Sequence, residues 1–417
     1  MASIPESMQP ELVHHGIPDS RLANQSIPIS VYVVKVASRC NLNCGYCYMY
    51  NLGDTTYRAM PKVMPLNTSE AMFLRIRDHA VSHSLDEILI ILHGGEPLLA
   101  GVEYIDEFAR LGRKILEPEV RVRYSMQTNG TLLSHEWLEV LGKHSIGFGI
   151  SLDGPEIVHD LHRVDHKGNG SYRQVEENIR MVLSHPRYSA LFGSVLTVIN
   201  HEIDPSDLLN HYVSLGITGA DFLLPDMHYE TAPASILGGM EVYGKWLARL
   251  YDTWISHNNP SFKIRIFENI IGRILGASTG TDSLGAQQNN ILVIETDGGI
   301  EPVDVLKACG DGFTKTGLSV LHNKISDIER NSLARIYHQG SSTLCERCKA
   351  CPVVAICSGG YLPHRYSIKT GFDNPSVYCH DLYYLIRHIQ NHVISQLPES
   401  LKLRHSLAPL PKQEQFL

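Results

Sequence analysis

The sequence contains no apolar run long enough to cross a bilayer: its best run covers only residues 88–92, whereas a membrane helix needs about 20 apolar residues. It has no excess of basic residues either, since 36 Lys and Arg stand against 44 Asp and Glu for a formal net charge of −8. That balance argues against a protein whose main task is to coat a nucleic-acid backbone. Residues 1–20 hold no apolar stretch of the kind that signal peptides have. Charged residues make up only 19% of the chain and hydrophobic residues 43%, which is typical of a globular protein.

Clustered cysteine is the feature that the chain does have. Of its nine cysteines, three lie at Cys40, Cys44 and Cys47, and six lie between Cys309 and Cys379. The number is odd and nothing marks the chain for export. Metal binding or redox chemistry is therefore favoured over a disulfide framework.

The first half of the chain alternates between short apolar runs and amphipathic segments. Six strands separated by helices predict βα units, an α/β fold and a parallel sheet that curls toward a full or partial barrel. Gly-, Asn- or Asp-rich loops follow several of these strands, and sites form at such strand ends. The strands are expected at residues 30–36, 87–92, 122–127, 147–152, 191–199 and 219–224.

The first three cysteines follow the first predicted strand with the spacing Cys40-x3-Cys44-x2-Cys47. The Asn and Gly residues between them predict a tight loop on which three thiols converge. A structural zinc site normally has four protein ligands, so three thiolates leave one position open. The spacing favours an iron–sulfur cluster whose fourth iron binds something else. The alternative is a set of structural cysteines, or a zinc site completed from a distance.

With Tyr46 before its third cysteine, this motif resembles the signature of the radical S-adenosylmethionine (SAM) enzymes. The resemblance implies that Cys40, Cys44 and Cys47 hold a four-iron four-sulfur (4Fe–4S) cluster whose open iron binds SAM, with Tyr46 at the adenine region. It also implies that SAM is cleaved to methionine and a 5′-deoxyadenosyl radical, which abstracts a hydrogen atom from the substrate.

Further motifs match the same family in order along the chain, each at or after the end of a predicted strand. Taken alone, each could be a turn or a solvated charge. The resemblance implies that the SAM ammonium lies at the Gly-Gly-Glu-Pro motif, that the next two strand ends contact the SAM carboxylate and ribose, and that an arginine pairs with the carboxylate. The implied SAM contacts are Gly94, Gly95, Glu96, Gln127, Asn129, Ser151, Asp153 and Arg163.

The last quarter holds a second motif, Cys348-x2-Cys351-x5-Cys357, followed by Cys379. It resembles the SPASM extension of peptide-modifying radical SAM enzymes, which carries auxiliary iron–sulfur clusters. The resemblance implies that Cys348, Cys351, Cys357 and Cys379 hold at least one auxiliary 4Fe–4S cluster. A four-cysteine zinc site is the alternative.

The family pattern for a second auxiliary cluster is broken in this sequence. His322 and Tyr361 stand where that pattern has cysteine. Cys309 and Cys345 are then expected to be free thiols, and the alternative is that they are ligands of a second auxiliary cluster.

These resemblances imply an α/β fold made of a partial (β/α)6 TIM-like radical SAM barrel and a C-terminal SPASM-type iron–sulfur extension. The expected segments are an N-terminal segment (1–29), the barrel (30–238), a helical bridge (239–288), the auxiliary-cluster domain (289–397) and a tail (398–417).

Residues 357–382 resemble a narrower group, the FxsB- and XYE-type maturases of ribosomally synthesised peptides (RiPPs). This implies an oxidoreductase and peptide cyclase that abstracts a side-chain β-hydrogen and forms an aromatic carbon–carbon cross-link, a cyclophane. Alternatives are a sulfatase maturase that forms formylglycine, a thioether former, an epimerase, or a non-catalytic protein that has kept the fold. The broken second cluster pattern counts against the sulfatase maturase, and the complete SAM motifs count against the non-catalytic protein.

The cross-link reaction requires a base when the aromatic ring is restored. Asp226, just past the sixth predicted strand, is the favoured candidate. The alternative is that Asp226 is an exposed loop acid or a helix cap.

The expected partners are a precursor peptide with a leader and an aromatic-containing core, and an electron donor such as flavodoxin or ferredoxin. No nucleic acid and no membrane are expected. The short segment before the first strand predicts that a leader docks on the barrel, on the extension or on another protein. An oxygen-sensitive open cluster implies a cytoplasmic protein.

Overall fold

The computed structural model describes residues 26–278, 281–285, 288–404 and 409–411. Most of the expected N-terminal segment and part of the expected tail lie outside these residues. In the described part, the strands are β1 (Val31–Ala37), β2 (Glu87–Gly94), β3 (Arg121–Thr128), β4 (Gly147–Ser151), β5 (Phe192–Val198), β6 (Gly219–Leu223), β7 (Lys263–Ile264), β8 (Ile291–Ile294) and β9 (Ile300–Glu301).

Helices follow most of the strands, and several short ones lie in the last quarter. None of the described helices is both long and apolar enough to span a membrane. The helices are α1 (Leu66–Ser82), α2 (Val102–Leu116), α3 (His135–Lys143), α4 (Glu156–His159), α5 (Tyr172–Ser184), α6 (Pro205–Ser214), α7 (Ala234–Leu237), α8 (Val242–His257), α9 (Arg265–Ile274), α10 (Ser332–Gln339), α11 (Glu346–Lys349), α12 (Val354–Cys357), α13 (Cys379–Gln396) and α14 (Glu399–Arg404).

The strands form one nine-stranded sheet in the order β7-β6-β5-β4-β3-β2-β1-β8-β9. Every neighbouring pair is parallel except β8 and β9. The six strands expected from the sequence are β1 to β6, and the predicted α/β parallel fold is confirmed. Since parallel strands point the same way, the loops after β1 to β6 meet at one edge of the sheet.

The sheet continues beyond the segment that the sequence predicts as the barrel. β8 pairs with the free edge of β1, with Val31 opposite Ile291 and Val34 opposite Ile294. β9 then turns back on β8 as an antiparallel hairpin. β8 and β9 thereby bring the residues just after 301 to the ends of the parallel strands. The segment boundaries at 238 and 288 stay a prediction.

The long C-terminal helix α13 attaches the last quarter of the chain to the sheet-covering helices. The Asp381 carboxylate accepts a hydrogen bond from the Gly244 amide of α8 at 2.8 Å. The hydroxyl of Tyr251 on α8 lies 2.7 Å from the His392 ring nitrogen of α13. Because Cys379 begins α13, these contacts also position the last cysteine.

Two glycines allow the end of β2 to press against the loop after β1. The Gly95 amide donates to the Ala37 carbonyl and the Glu96 amide to the Arg39 carbonyl, both at 2.9 Å. A Cβ at Gly94 would overlap the Ala37 carbonyl, and one at Gly95 would overlap the Arg39 carbonyl. Gly94 also has φ +153°, which L side chains rarely adopt.

We expect Gly95→Ala to destabilise the protein by about 1–3 kcal/mol, because its methyl group would push two backbones apart. The matched control is Gly193→Ala in β5, where the nearest atom to the added Cβ is the Phe148 carbonyl oxygen at 3.8 Å. The control should stay within about 0.5 kcal/mol of the parent. Urea unfolding measures both, and equal midpoints for the two variants would contradict the prediction.

Candidate active site and auxiliary cysteine site

Cys40, Cys44 and Cys47 lie on one loop that follows β1. The Cys47 amide donates to the Cys44 carbonyl at 3.0 Å, and the Leu42 amide donates to the Cys40 sulfur at 3.4 Å. None of the three forms a disulfide. Burial raises the pKa of Cys40 to about 12 and that of Cys47 to about 11, so a bound cation is needed to keep these thiols ionised.

The loop is held from its other side by the segment that carries Arg163. The Asn43 amide donates to the Val164 carbonyl at 2.7 Å, and the Gly45 amide donates to the His162 carbonyl at 3.1 Å. The structure therefore brings Arg163 next to a loop that is more than a hundred positions away in the chain. Sequence reasoning named Arg163 but had no signal for this pairing.

Glu96 joins the ends of β2 and β3. Its buried carboxylate accepts hydrogen bonds from the Leu98 amide (3.0 Å), the Thr128 hydroxyl (2.7 Å) and the Asn129 amide (2.7 Å). Burial raises the pKa of Glu96 to about 6, against the effect of these donors. Since a carboxylate has about four acceptor positions, three internal donors leave room for one more.

A second polar group connects Tyr46, Asp153 and Arg163. The Tyr46 hydroxyl donates to Asp153, and the Arg163 guanidinium donates to the Tyr46 oxygen at 2.9 Å. Asp153 also accepts the Val198 amide at 3.0 Å. The Nε of Arg163 is buried and has no hydrogen-bond partner. It is an unused donor that an added carboxylate would satisfy.

The remaining predicted SAM contacts lie at the same strand ends. The Gln127 amide donates to the Ser151 hydroxyl at 3.0 Å, between the neighbouring strands β3 and β4. The side-chain amide nitrogen of Asn129 lies 3.7 Å from the Cys40 sulfur. The structure thus gathers the expected residues along the β1–β4 ends, and their individual roles toward SAM stay a prediction.

Asp226 is recessed in the loop after β6, with its side chain 20% exposed. No described residue donates a hydrogen bond to it, and the His364 Nε2 lies 4.0 Å from its carboxylate. Burial, with smaller contributions from the nearby Asp304 and Asp282, raises the pKa of Asp226 to about 7. Asp226 is therefore neither an exposed loop acid nor a helix cap.

His364 is almost fully buried beside Asp226, and neither of its ring nitrogens has a hydrogen-bond partner. Burial lowers the pKa of His364 to about 3, so the ring is neutral. A neutral ring leaves the charge of Asp226 uncompensated.

The two acids near Asp226, which are Asp304 and Asp282, already have hydrogen-bond donors. Asp304, just after β9, accepts hydrogen bonds from the Lys35 ammonium and from the Tyr48 hydroxyl (2.7 Å). Although burial opposes ionisation, the Lys35 charge holds the pKa of Asp304 well below its usual range. Asp282 accepts the Tyr337 hydroxyl at 3.3 Å, and burial raises its pKa to about 6 against the pull of Arg265.

Sequence reasoning missed Lys35, Tyr48, Asp282 and Asp304. Lys35 had a usable signal, since it interrupts the apolar strand β1 and is fully buried there. Its partner Asp304 is distant in the chain, and only the pairing of β8 with β1 brings it close.

Glu230 and His228, which follow Asp226 in the chain, have structural contacts rather than a free carboxylate or ring that could accept a proton. The Glu230 carboxylate accepts the Ser367 hydroxyl (3.0 Å) and the Ile368 amide (2.8 Å), and contacts the His228 ring at 2.9 Å. Glu230 therefore holds the loop around 367–371, and His228 supports Glu230.

The C-terminal cysteines come together at the junction of three helices. Cys348 lies in α11, Cys357 ends α12 and Cys379 begins α13. With Cys351, they line a mainly apolar cavity. Across the described residues, no three His, Cys, Asp or Glu side chains are arranged to hold a single metal ion. Four Cys thiolates are the ligand set of a 4Fe–4S cluster, and a four-cysteine zinc site stays the alternative.

Cys345 is a fifth thiol beside this set and is hydrogen-bonded to Cys348. The bond lowers the pKa of Cys345 to about 6 and raises that of Cys348. Cys309, by contrast, packs in a separate apolar cluster with Tyr361 and Tyr366. The structure does not bring Cys309 and Cys345 together.

Comparisons with known proteins agree with this geometry. Residues 34–210 match the family model described as the Radical SAM superfamily. The cysteine-type anaerobic sulfatase-maturating enzyme of Clostridium perfringens (strain 13) is 25% identical over 80% of this chain and 88% of its own length. The serine-type enzyme of Bacteroides thetaiotaomicron is 24% identical over 87% of this chain and 89% of its own length.

Solved structures show the same fold. The structure of anSMEcpe with bound AdoMet superimposes with a TM-score of 0.73 at 23% identity and covers 88% of this chain and 98% of that chain. anSMEcpe with AdoMet and the Kp18Cys peptide gives a TM-score of 0.72 over the same shares. The curated relatives above are sulfatase-maturating enzymes, and they do not support the narrower expectation of a cyclophane-forming maturase.

The family match contains the three-cysteine loop, the Gly-Gly-Glu-Pro strand end and Arg163. Residues 34–210 are therefore a radical SAM domain, and the protein is a radical SAM enzyme with S-adenosylmethionine and an iron–sulfur cluster as cofactors.

Proposed function

We propose that the protein oxidises a side chain of a peptide or protein substrate at its β-carbon, with Asp226 as the proton acceptor. The observation that carries this proposal is the recessed Asp226 carboxylate, which has no donor and a pKa of about 7. A general base works best when its pKa lies near the ambient pH. Asp304 is a weaker candidate, because its negative charge is already neutralised by Lys35.

The chain's own residues provide the setting for the cofactors. When bound, SAM and the first cluster would supply a 5′-deoxyadenosyl radical that removes a hydrogen atom from the substrate. The auxiliary cluster, held by Cys348, Cys351, Cys357 and Cys379, would accept the second electron while Asp226 takes the proton, which completes the two-electron oxidation. The free Nε of Arg163 supports its assignment to the SAM carboxylate. In this proposal Cys40, Cys44 and Cys47 hold the 4Fe–4S cluster, and Tyr46, Gly94, Gly95, Glu96, Gln127, Asn129, Ser151, Asp153 and Arg163 surround SAM.

The relatives favour one outcome of β-carbon oxidation over the others. Both curated relatives are sulfatase-maturating enzymes, and a solved relative carries a bound peptide. The first candidate product is therefore formylglycine, made from a cysteine or serine of the substrate. The precursor peptide and the electron donor expected from the sequence remain proposals.

The aromatic cross-link expected from the sequence is the second candidate. The observation that favours it is the single auxiliary cysteine set. Tyr361 stands where the two-cluster pattern has cysteine, and the described residues of the apolar cluster in which Cys309 packs include no other cysteine. This chain therefore departs from the two-cluster pattern.

A peptide assay distinguishes the two products. The reduced holoenzyme with SAM should release 5′-deoxyadenosine and modify either the Kp18Cys peptide or the short peptide encoded beside its gene. A product that reacts with an aldehyde reagent identifies formylglycine. Loss of two hydrogens without an aldehyde, in a stretch that resists fragmentation, identifies the cross-link.

The control for this assay is Cys40→Ala/Cys44→Ala/Cys47→Ala, which should release no 5′-deoxyadenosine. Absence of 5′-deoxyadenosine from the parent enzyme with both peptides would contradict the proposed function.

Asp226→Asn should reduce product formation by about 10²-fold while 5′-deoxyadenosine is still formed, because only the proton acceptor is removed. In the parent, product formed per SAM cleaved should fall as the pH drops below about 7, since the raised pKa leaves Asp226 protonated there. Asp78→Asn is the control, since its side chain is 57% exposed and pairs only with the adjacent Arg77. Unchanged modification by Asp226→Asn would exclude Asp226 as the base.

Iron content tests the number of clusters. We expect about eight iron atoms per chain after anaerobic reconstitution, for two 4Fe–4S clusters, and about four when Cys40, Cys44 and Cys47 are replaced by Ala. Cys309→Ala should keep the full content, because Cys309 packs in an apolar cluster that contains no other cysteine of the described chain. About twelve iron atoms, or zinc in place of half the iron, would contradict this assignment.

A further inference from the structure

Arg365 packs against the wall of the auxiliary cysteine site. Its Cδ lies 3.8 Å from the position of a Cβ built at Gly359, and Gly359 lines the same cavity as Cys348 and Cys357. Arg365 ends the 3-10 turn Leu362–Arg365, which follows the glycine turn after Cys357. The residue is only 3% exposed. Nothing in the peptide chemistry above uses this guanidinium.

Neutral carbonyl groups hold the Arg365 guanidinium in place. Its Nη2 donates to the Thr343 carbonyl (2.7 Å) and to the Phe372 carbonyl (2.8 Å), and its Nε donates to the Asn374 carbonyl (3.3 Å). The Asn374 side chain in turn donates to the Arg365 carbonyl at 3.1 Å. These bonds fix the orientation of the cation, but they do not neutralise its charge.

No carboxylate of the described residues forms an ion pair with Arg365. Two other buried cations differ in this respect. Lys35 pairs with Asp304, and Lys307 pairs with Glu295 at 3.2 Å and Glu301 at 2.9 Å. A buried charge without a counter-charge is costly, so the site requires an anion that these side chains do not supply.

The thiols are the groups that can supply it. Burial lowers the pKa of Arg365, and the groups that act most strongly against this effect are Cys348 and Cys345, followed by Asp373 and Cys357. Cys348 and Cys357 belong to the four cysteines that line the cavity. Thiolates around a cluster would therefore face a fixed, dehydrated cation.

We propose that Arg365 is the counter-cation of the auxiliary iron–sulfur cluster and raises its reduction potential. This rests on the part of the proposed function that assigns Cys348, Cys351, Cys357 and Cys379 to that cluster. Reduction adds one negative charge to a group already held by anionic thiolates. A nearby cation stabilises the reduced form more than the oxidised form, and charge and hydrogen bonding near the sulfurs set such potentials.

The test measures the potential directly. Replacing Cys40, Cys44 and Cys47 by Ala leaves the auxiliary cluster as the only expected signal in an EPR-monitored redox titration of the full chain. In this background, Arg365→Gln removes the charge, and Arg365→Lys keeps the charge but loses the planar fork. We expect a lower potential for Arg365→Gln than for Arg365→Lys, with the parent background closer to the lysine variant.

Arg347→Gln is the matched control. Arg347 lines the same cavity but is exposed, so water screens its charge. Its removal should shift the potential less than Arg365→Gln does.

The alternative outcomes are distinct from those of the peptide assay, because no substrate is present. Loss of iron from Arg365→Gln but not from Arg365→Lys would support the proposal, since the charge would then be needed to hold the cluster. Equal potentials for the two Arg365 variants, a larger shift for Arg347→Gln, or loss of iron from both Arg365 variants would overturn it. A background variant that binds no iron would overturn it together with the auxiliary-cluster assignment, while the peptide assay still tests β-carbon oxidation.

Discussion

The close backbone contact between the end of β2 and the loop after β1 is the constraint on which the rest of the site depends. Without side chains at Gly94 and Gly95, the two backbones can exchange hydrogen bonds at 2.9 Å. This contact places the three-cysteine loop above the strand ends and puts Glu96 where it joins β2 to β3. The cysteines and the predicted SAM contacts therefore form one unit.

Asp226, Asp282 and Asp304 lie in one buried environment, but their partners give the three carboxylates different pKa values. Asp304 is neutralised by Lys35, and Asp282 has Tyr337 and the charge of Arg265. Asp226 has no donor and faces a neutral histidine. Burial and repulsion then raise its pKa to about 7, the highest of the three, so that it can both accept and release a proton near neutral pH.

The two cysteine sets differ in how their charge is balanced. Arg163 lies beside the first set and shares the Tyr46 and Asp153 group. Arg365 lies beside the second set and is held only by carbonyl groups. At the first set, the Arg163 Nε remains free to donate to an added carboxylate. At the second set, the Arg365 charge has no carboxylate partner among the described residues, so it can interact with the thiolates.

The sequence alone determined the six strands β1 to β6, the two cysteine sets and the order of the strand-end motifs, because these depend on local periodicity and short spacings. Only the tertiary structure decided that β8 pairs with β1, that Lys35 meets Asp304 and that Cys309 is separate from the other cysteines. It also decided which acid is left without a partner. Such pairings join residues far apart in the chain, and they follow from packing and desolvation of the whole fold, which no local pattern records.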